Sequence, residues 1–275
     1  MNNAAVTQDR RATRLDELAA LVQARIGAEQ RTLIESFVRR YYGQVDVDDL
    51  ADRDLADLYG ASLSHFAFAR KREPGRAKVR AFNPTIEEHG WQSTHTVIEV
   101  VNDDMPFLVD SVSMEANRHG LTLHLIVHPI LDVARAADGT IVAVGEAGPE
   151  ARRESFIHAE VDRVSGATAL AQIAQDVERV LADLRFAVAD WAKMRERALD
   201  IVREIDANPP ALPAAEVAEG RDFLAWLADN HFTFLGYRRH DLVSADGQDA
   251  LKVVPGSSLG ILRMTEPASL SLIHI

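Results

Sequence analysis

The chain has 275 residues, a formal net charge of −12 and no cysteine, and 47% of its residues are hydrophobic. That apolar fraction is typical of a globular protein with a packed core. The acidic charge disfavours nucleic acid as a partner, and the lack of cysteine excludes disulfides, thiolate metal ligands and cysteine nucleophiles. No apolar run is long enough to cross a membrane, and the polar residues 1–10 lack the apolar core of a signal peptide. We therefore expect a soluble, cytoplasmic protein that binds neither nucleic acid nor membrane.

The N-terminal quarter of the chain carries apolar residues at helical spacing. Three such runs together cover residues 12–70. Gly43 follows the second run, where we expect it to cap a helix. The segment Lys71–Gly75, which contains a proline and a glycine, breaks the third run. The sequence therefore predicts a helical N-terminal subdomain over residues 1–75.

From residue 78 the pattern changes to the alternation and β-branched runs that are typical of strands. The predicted strands cover residues 78–83, 94–101, 121–134, 140–144 and 155–164. A helix over residues 105–119 separates the second predicted strand from the third, and Asp138-Gly139 predicts a hairpin turn. The sequence predicts an α+β domain over residues 76–208.

The longest helical pattern covers residues 167–207, a length of about 60 Å at 1.5 Å per residue. Its apolar residues form a narrow seam that is close to a heptad repeat. The seam consists of Leu170, Ile173, Val177, Val180, Leu184, Val188 and Trp191. Two interpretations stay open: the seam pairs with a helix of another subunit, or it packs on the chain's own sheet or N-terminal helices.

A second α+β unit is predicted for residues 209–275, after Asn208-Pro209-Pro210. It contains one helical pattern and one hairpin, with Asp246-Gly247 at the turn. These elements are too few to enclose a core, so we expect a truncated unit. The last seven residues, 269–275, fit no element and are interpreted as a truncation or assembly scar. Four aromatic residues are interpreted as core rather than as a cofactor box: Trp191, Trp226, Phe232 and Phe234.

The turn between the second predicted strand and its helix is the main candidate site. A small anion or amino acid would meet the free N–H groups of the helix with its carboxylate and an acidic side chain with its ammonium group. The candidate ligand-binding residues are Asn102, Asp103, Asp104, Pro106, Phe107, Asp110 and Ser111. The alternative is structural: Asp104 is the N-cap, Pro106 lies in the first turn, and Asp110 is a surface charge.

Three histidines on predicted strands offer a second possibility. His124 and His128 are four residues apart on one strand and so share a face, and His158 lies on a later strand. Together they would suffice to ligate zinc. The interpretation that we favour is a half-buried sheet face at a subunit contact, which would be pH-sensitive. We predict no metal site and no catalytic residue in this chain.

Several stretches together give the chain a family resemblance. The strand, the Asp-x-Pro-x-Leu turn at Asp104–Leu108 and the helix with two further strands resemble an ACT domain. The chain as a whole resembles the N-terminal region of the large bacterial NAD-specific glutamate dehydrogenases. The stretches that carry this second resemblance are 57–60, 63–65, 79–84, 102–112, 124–129, 154–158 and 230–237.

The resemblance implies a βαββαβ, ferredoxin-like domain of a type that often senses amino acids. It implies a parent oxidoreductase that deaminates glutamate to 2-oxoglutarate with NAD, as part of glutamate catabolism, and whose catalytic domain lies outside this chain. The partners would then be the rest of the dehydrogenase chain, further copies in a homo-oligomer and an amino-acid effector. No Gly-x-Gly-x-x-Gly fingerprint occurs here, so we expect no cofactor in this chain and assign NAD to the parent enzyme.

Two features depart from the ACT pattern. Amino-acid-binding ACT domains commonly have glycine after the turn proline, whereas this chain has Phe107, whose ring is expected to shield the turn. The long helix is also not followed at once by a fourth strand, so we expect the strand at Lys78–Asn83 to occupy that edge. Phe107 favours an assembly region, and the acidic turn at a helix N-terminus favours an amino-acid sensor. The third alternative, catalysis by this chain, finds no support in its residues.

Overall fold

The computed structural model describes residues 3–51, 53–145, 148–245, 248–264 and 270–271. The chain divides into two compact units, Met1–Leu181 and Ala182–Ile275. Both contain helices and strands, as the α+β prediction requires. The predicted Asp246-Gly247 turn, residue 269 and residues 272–275 lie outside the described residues.

Four helices open the first unit where the sequence predicts helices. They are α1 (Asn3–Arg25), α2 (Ala28–Tyr41), α3 (Val47–Ala51) and α4 (Leu55–Ala69). Tyr42, and not the predicted Gly43, is the C-cap of α2. Asp54 caps α4, because its carboxylate accepts a hydrogen bond from the Ala56 N–H. A short helix, α5 (Ile86–His89), follows later in the unit.

A six-stranded antiparallel sheet forms the other half of this unit. Its strands are β1 (Lys78–Phe82), β2 (Thr96–Asp103), β3 (Leu123–Val127), β4 (Ile130–Arg135), β5 (Ile141–Val144) and β6 (Arg152–Val161). The order is β1-β2-β6-β4-β5, and β3 also pairs with β6. Helix α6 (Leu108–Arg118) connects β2 to β3, and β6 lies between these two strands. This is the split βαβ arrangement of ferredoxin-like domains.

Two details of the sheet bear on the predictions. Strand β1 pairs antiparallel with β2, so it occupies the edge expected for the segment Lys78–Asn83. The predicted single strand over residues 121–134 is two strands, because Pro129 interrupts it. A proline has no N–H to donate to a ladder. The Pro129 carbonyl still accepts a hydrogen bond from the Phe156 N–H, and β3 and β4 both pair with β6 on either side of it.

The N-terminal helices and the sheet share one hydrophobic core. The Phe37 ring of α2 lies 5.4 Å from the Phe156 ring of β6, and Leu18 and Val101 belong to the same buried cluster. The compact unit therefore extends through the predicted boundary at residue 75 and ends at Leu181, well before the predicted boundary at residue 208. The division into segments 1–75, 76–208 and 209–275 stays a prediction about folding units.

Strands β2 and β6 are buried along almost their whole length. Side chains on successive residues of a strand point to opposite faces. One face of these strands meets the N-terminal helices, and the other is also buried, at Ile98, Val100, Ile157 and Ala159. Buried charged side chains on such doubly covered strands need partners within the protein.

The long helix α7 (Ala167–Ala207) has the predicted bounds. The described buried positions begin on the predicted seam at Ile173 and Val177 and continue at Leu181, Ala187 and Met194. After Val177 the buried positions differ from the predicted seam, because the buried face of a helix with 3.6 residues per turn drifts relative to a strict heptad repeat. Trp191, a predicted seam and core residue, is exposed.

The described part of the second unit contains α8 (Ala214–Trp226), a kinked turn (Leu227–His231) in which Asp229 and Asn230 are not helical, and short strands. The strands are β7 (Gly236–Tyr237), β8 (His240–Ala245), β9 (Gln248–Val253), β10 (Leu259–Gly260) and β11 (Leu270–Ser271). The order β11-β9-β8 forms one sheet, and β10-β7 forms another. Before the first of these strands, Asn230 with φ of 58° turns the chain.

The aromatic residues of this unit do not form the predicted core. Trp226 is 49% exposed, Phe232 is 56% exposed, and Phe234 is half-buried. Helix α8 contains no buried residue. The polar anchor of the unit is the buried Asp190, whose carboxylate accepts hydrogen bonds from the Gly260 N–H at 3.0 Å and from Arg263 at 2.6 Å.

Candidate functional site

The predicted site at residues 102–111 is divided by the structure. Asn102 and Asp103 end β2, and their side chains point to opposite faces of the strand. Asn102 is fully buried, and its amide donates to the Asp103 carbonyl. The Asp103 carboxylate accepts hydrogen bonds from Arg72 at 2.6 Å and from the Gly75 N–H at 3.2 Å. Asp103 is thus part of an ion-pair cluster and not of an open turn.

Asp104 does not cap the helix that follows it. Its carboxylate accepts a hydrogen bond from the Ser155 hydroxyl at 2.8 Å, and its N–H donates to the Arg153 carbonyl. Helix α6 begins at Leu108, three residues later than the predicted start, and Phe107 is its N-cap without a side-chain hydrogen bond. The predicted N-cap role of Asp104 is therefore wrong, because the side chain is used to hold the turn against β6.

The remaining predicted residues surround a shallow cavity of about 410 Å³. Asp104, Pro106, Phe107 and Asp110 line it together with His128. Phe107 has φ of 66°, in the left-handed region that favours glycine. Its ring is half exposed and lines this cavity. Ser111 instead lies within α6, where its N–H donates to the Phe107 carbonyl.

A larger cavity, of about 490 Å³, was not predicted from the sequence. Its walls come from α2, α3 and α4, from the loop 91–95 and from β3 and β6. Gly60 of α4 allows this loop to approach, because a Cβ atom there would lie 2.5 Å from the Cβ of Trp91. Trp91 and His158 line the cavity, and no described residue accepts a hydrogen bond from the indole N–H of the buried Trp91. We call this space the helix–sheet cavity.

A buried polar cluster lies beside the helix–sheet cavity. We define the His–Glu–His cluster as His65 of α4, Glu99 of β2 and His158 of β6. One ligand atom from each residue lies within 4.8 Å of the other two. His158 Nδ1 is 3.6 Å from Glu99 Oε1. The register of the sheet explains the contact, because Glu99 and His158 face each other across β2 and β6.

The surroundings of the cluster determine its charges. Burial lowers the pKa of His65 to about 4. Burial opposes the ionisation of Glu99, but the nearby His65, His158 and Arg80 bring its pKa down to about 2. Burial likewise disfavours a charged His158, yet its contacts with the Glu160 and Glu99 carboxylates raise its pKa. Glu99 is therefore an anion inside the core.

Glu160 extends the cluster towards the helix–sheet cavity. Arg53 binds its two carboxylate oxygens at 2.6 and 2.9 Å, and His158 Nε2 lies 3.5 Å from the carboxylate. Burial opposes its ionisation, but the hydrogen bonds from His158 and Arg53 lower the pKa of Glu160 to about 2. His95, on the loop 91–95, lies 3.4 Å from the same carboxylate. The Glu160 carboxylate at the cavity wall is therefore contacted by Arg53, His158 and His95.

The predicted trio of histidines is not brought together. His124 binds Asp162 at 2.7 Å, and its ring packs at an angle against the His95 ring. His128 lines the cavity at the turn, and only His158 belongs to a group of converging ligand atoms. The sequence did carry a signal for the residues that were missed. Glu99 is a lone carboxylate in an apolar strand, and His65 lies on the apolar stripe of α4.

The fold of the first unit is consistent with an ACT-type domain. Residues 37–177 match the model of the family described as "Glutamate dehydrogenase, ACT1 domain". The chain is 41% identical over 258 residues to an NAD-specific glutamate dehydrogenase of Halomonas elongata, which covers 92% of this chain and 16% of that protein. It is 35% identical to the protein of the same name from Pseudomonas aeruginosa, over 90% of this chain and 16% of the relative. A third relative of that name, from Mycobacterium tuberculosis, is 23% identical over 74% of this chain and 13% of its own length.

The chain therefore belongs to the NAD-specific glutamate dehydrogenase family, through its ACT1 domain. It spans about a sixth of the length of the first two relatives. In the part of the chain that the structure describes, no helix is both long and apolar enough to cross a membrane.

Proposed function

We propose that this chain is a non-catalytic N-terminal region that assembles and regulates an NAD-dependent glutamate dehydrogenase. The complete enzyme would deaminate glutamate oxidatively to 2-oxoglutarate and ammonia in the cytoplasm. The observation that carries the proposal is the ACT1 match over residues 37–177 in a chain that spans 16% of its relatives. Domains of the ACT type bind and associate rather than catalyse, so the chemistry is assigned to the rest of the enzyme.

The assignment of NAD to the rest of the enzyme has support in the sequence. No two glycines of the chain stand at the Gly-x-Gly spacing with which a dinucleotide-binding turn begins. The buried carboxylates Glu99, Glu154 and Glu160 are all engaged with arginine side chains. These ion pairs hold secondary-structure elements together, which is a structural use of charge. We therefore place both the cofactor and the reacting residues outside this chain.

Exposed apolar side chains in the second unit support an assembly role. Phe223 and Trp226 are exposed and stack with ring centroids 6.1 Å apart. Trp226 also stacks on His231, and Phe232 contacts Phe234. Contiguous exposed aromatic surface usually marks a contact with another protein surface. We propose that the rest of the dehydrogenase chain, or a second copy in a homo-oligomer, covers it.

A second candidate function is an amino-acid sensor at the cavity beside the turn. The first N–H groups of α6 have no partner within the helix, and the half-buried Asp104 carboxylate lines the same cavity. A carboxylate and an ammonium group of one small ligand would suit these two features. Phe107 occupies the place after the turn proline that commonly belongs to glycine in amino-acid-binding ACT domains.

Two measurements on the purified chain separate these functions. Sedimentation analysis over a range of concentrations is expected to show self-association, and an assay with glutamate and NAD is expected to show no turnover. Glutamate turnover by this chain would contradict the proposal. A chain that stays monomeric at all concentrations would contradict the homo-oligomer.

The sensor is tested by thermal unfolding with each common amino acid, with NAD as a control. A ligand at 100 times its dissociation constant stabilises by about 2.7 kcal/mol, which raises Tm by several degrees. A rise that Asp104→Ala abolishes would establish the sensor and its site. The exposed Asp48→Ala variant, outside the cavity, is the matched control. If no amino acid raises Tm, the sensor is contradicted and the assembly role is the function that remains.

A further inference from the structure

Three buried ligand atoms of the His–Glu–His cluster have no hydrogen-bond partner among the described residues. They are His65 Nε2, Glu99 Oε1 and His158 Nδ1. His65 and Glu99 are fully buried, and the His158 side chain is 4% exposed. A buried polar atom without a partner costs about 1–3 kcal/mol. Three such atoms converge here from three different elements, and buried polar groups in this state call for an explanation.

The other polar atoms of these three residues are already used. His65 Nδ1 shares a hydrogen bond of 2.8 Å with the Tyr41 hydroxyl. His158 Nε2 lies 3.5 Å from Glu160, and Glu99 Oε2 accepts from Arg80 at 2.7 Å. In metal centres, the second ring nitrogen of a histidine ligand is normally held by a carboxylate or another oxygen. The cluster has these outer partners, and its open atoms all point inward to one another.

We propose that His65 Nε2, Glu99 Oε1 and His158 Nδ1 form a binding site for a divalent transition-metal ion, with zinc as the best fit. Two imidazoles and one carboxylate are a known zinc ligand set. The 3.6 Å between His158 Nδ1 and Glu99 Oε1 is close to the ~3.4 Å that separates two ligands in a tetrahedron with bonds of ~2.0–2.2 Å. This inference does not rest on the proposed function.

The helix–sheet cavity gives a metal ion a route to the cluster and leaves room for a fourth ligand. His158 lines both the cluster and the cavity, so an ion that enters the cavity reaches the cluster at this residue. Three protein ligands leave one tetrahedral position for water or a small anion. Glu99 and Glu160 offset the charge of the ion, and their arginine partners are each about one-third exposed to solvent. The bound ion would tie α4 to the centre of the sheet.

A cluster without an ion would be held together differently. His158 would carry a proton between Glu99 and Glu160, and the His65 ring would face the backbone of Val100. The two arrangements are chemically distinct, because a metal ligand must present a free lone pair where a protonated ring presents N–H. Metal binding by the wild-type protein therefore decides between them.

The first experiment measures metal binding by the wild-type chain. We expect the chain, freed of metal with a chelator, to bind one zinc ion and to unfold at a higher temperature when zinc is added. With cobalt in place of zinc, X-ray absorption is expected to count two imidazole ligands. A chain that binds no zinc, or binds it without imidazole ligands, would overturn the proposal. These measurements need no variant and so do not depend on a mutant that folds.

The second experiment compares two neighbouring tyrosines. Tyr41→Phe removes the hydroxyl that holds His65, and outer partners of this kind change metal affinity by about 10–100-fold. Tyr42→Phe is the matched control, since it removes an equally buried hydroxyl that donates to the Leu58 carbonyl. We expect weaker zinc binding only for Tyr41→Phe. Equal affinities in the two variants would contradict the assignment of His65.

The third experiment replaces a ligand. His65→Gln is expected to lose the site, whereas His124→Gln, which changes an exposed histidine bound to Asp162, is expected to keep it. Circular dichroism of both variants without metal shows whether each one is folded. If zinc binding is lost in His124→Gln and kept in a folded His65→Gln, the ion is an adventitious surface ion and the proposal fails.

Discussion

Two buried carboxylates on the same face of the sheet have different surroundings. Glu154 of β6 accepts hydrogen bonds on both oxygens, from Arg72 at 2.8 Å and from Arg135 at 2.7 Å. Glu99 of β2 accepts hydrogen bonds from Arg80 on one oxygen, and its other oxygen faces His65 and His158 without a hydrogen bond from any residue that the structure describes. Both side chains are at most 2% exposed.

This difference in hydrogen bonding separates a structural carboxylate, Glu154, from one that can bind a ligand, Glu99. A carboxylate whose acceptor positions are all filled has nothing left to offer a ligand, so Glu154 serves to join the strand to the segments that carry its arginines. A carboxylate with one open oxygen beside two open imidazole nitrogens is set up to bind. The same residue type, equally buried, therefore has two roles that only its partners distinguish.

The largest effect on stability is expected when each of the two carboxylates is replaced by glutamine, which tests this comparison directly. We expect Glu154→Gln to lower the free energy of unfolding by about 3–5 kcal/mol, because it leaves buried arginines without a counter-ion. Glu99→Gln is expected to cost about 1–3 kcal/mol, since the arginine that donates hydrogen bonds to it, Arg80, is 28% exposed whereas Arg72 is 2% exposed. Urea unfolding of both variants in metal-free buffer measures the two values. Equal losses would show that the number of filled oxygens does not matter.

The next largest loss of stability is expected for a substitution at Gly60, beside the helix–sheet cavity. A Cβ atom at position 60 would lie 2.5 Å from the Trp91 Cβ, so Gly60→Ala has to displace the loop. We expect a loss of about 1–3 kcal/mol from overpacking, against the gain in helix propensity. Gly220→Ala is a matched control in another helix, where a Cβ atom would meet nothing within 4 Å. Thermal unfolding compares them, and a stabilised Gly60→Ala would contradict the close approach.

A smaller change in stability, of opposite sign, is expected at Phe107, in the turn that was predicted as the ligand-binding site. Phe107 adopts φ of 66°, which costs a non-glycine residue roughly 1–2 kcal/mol. Phe107→Gly removes this cost and adds flexibility to the unfolded chain, so we expect a net gain of about 0.5–1 kcal/mol. Phe107→Ala keeps the strain without the ring and is expected to show no gain. A destabilised glycine variant would mean that the half-exposed ring makes a contact of greater value.

The smallest effect concerns an ion pair near the surface. Hydrogen bonding to Gln172 and Arg179, with the charge of Arg118, lowers the pKa of Asp176 from 3.8 to about 2. A depressed pKa stabilises the fold above the unfolded value and loses that contribution as pH falls from about 3.8 to about 2. We expect Asp176→Asn to be less stable than wild type at neutral pH and equally stable near pH 2. Urea unfolding at both pH values checks this, and a constant difference would contradict it.

The sequence predicted several parts of the fold correctly for local reasons. Helical and alternating spacing placed the N-terminal helices, the bounds of α7 and the strands of the sheet. The edge position of β1 was also expected and is confirmed by its pairing with β2. These features depend on periods of 3.6 and 2 residues, which are properties of short stretches of chain. The errors arose where a single residue ends an element, as at Pro129 and at Phe107.

The candidate sites show the limit of such local reasoning. The acidic turn was visible because its residues are consecutive, but the structure sends Asn102 and Asp103 to opposite faces of β2 and gives Asp104 to Ser155. The His–Glu–His cluster was missed because its members are separated by 34 and 59 positions along the chain. No spacing rule relates residues that meet only after α4 packs on the sheet.

What the sequence determined by itself is the class of the elements and the family of the chain, since both follow from stretches of consecutive residues. Only the tertiary structure decided which buried polar atoms have hydrogen-bond partners and which do not. The pairing of β2 with β6 sets Glu99 opposite His158, and the packing of α4 brings His65 to them. The physical reason is that burial removes water from all three residues at once, so their remaining partners are chosen by the fold and not by the chain's local order.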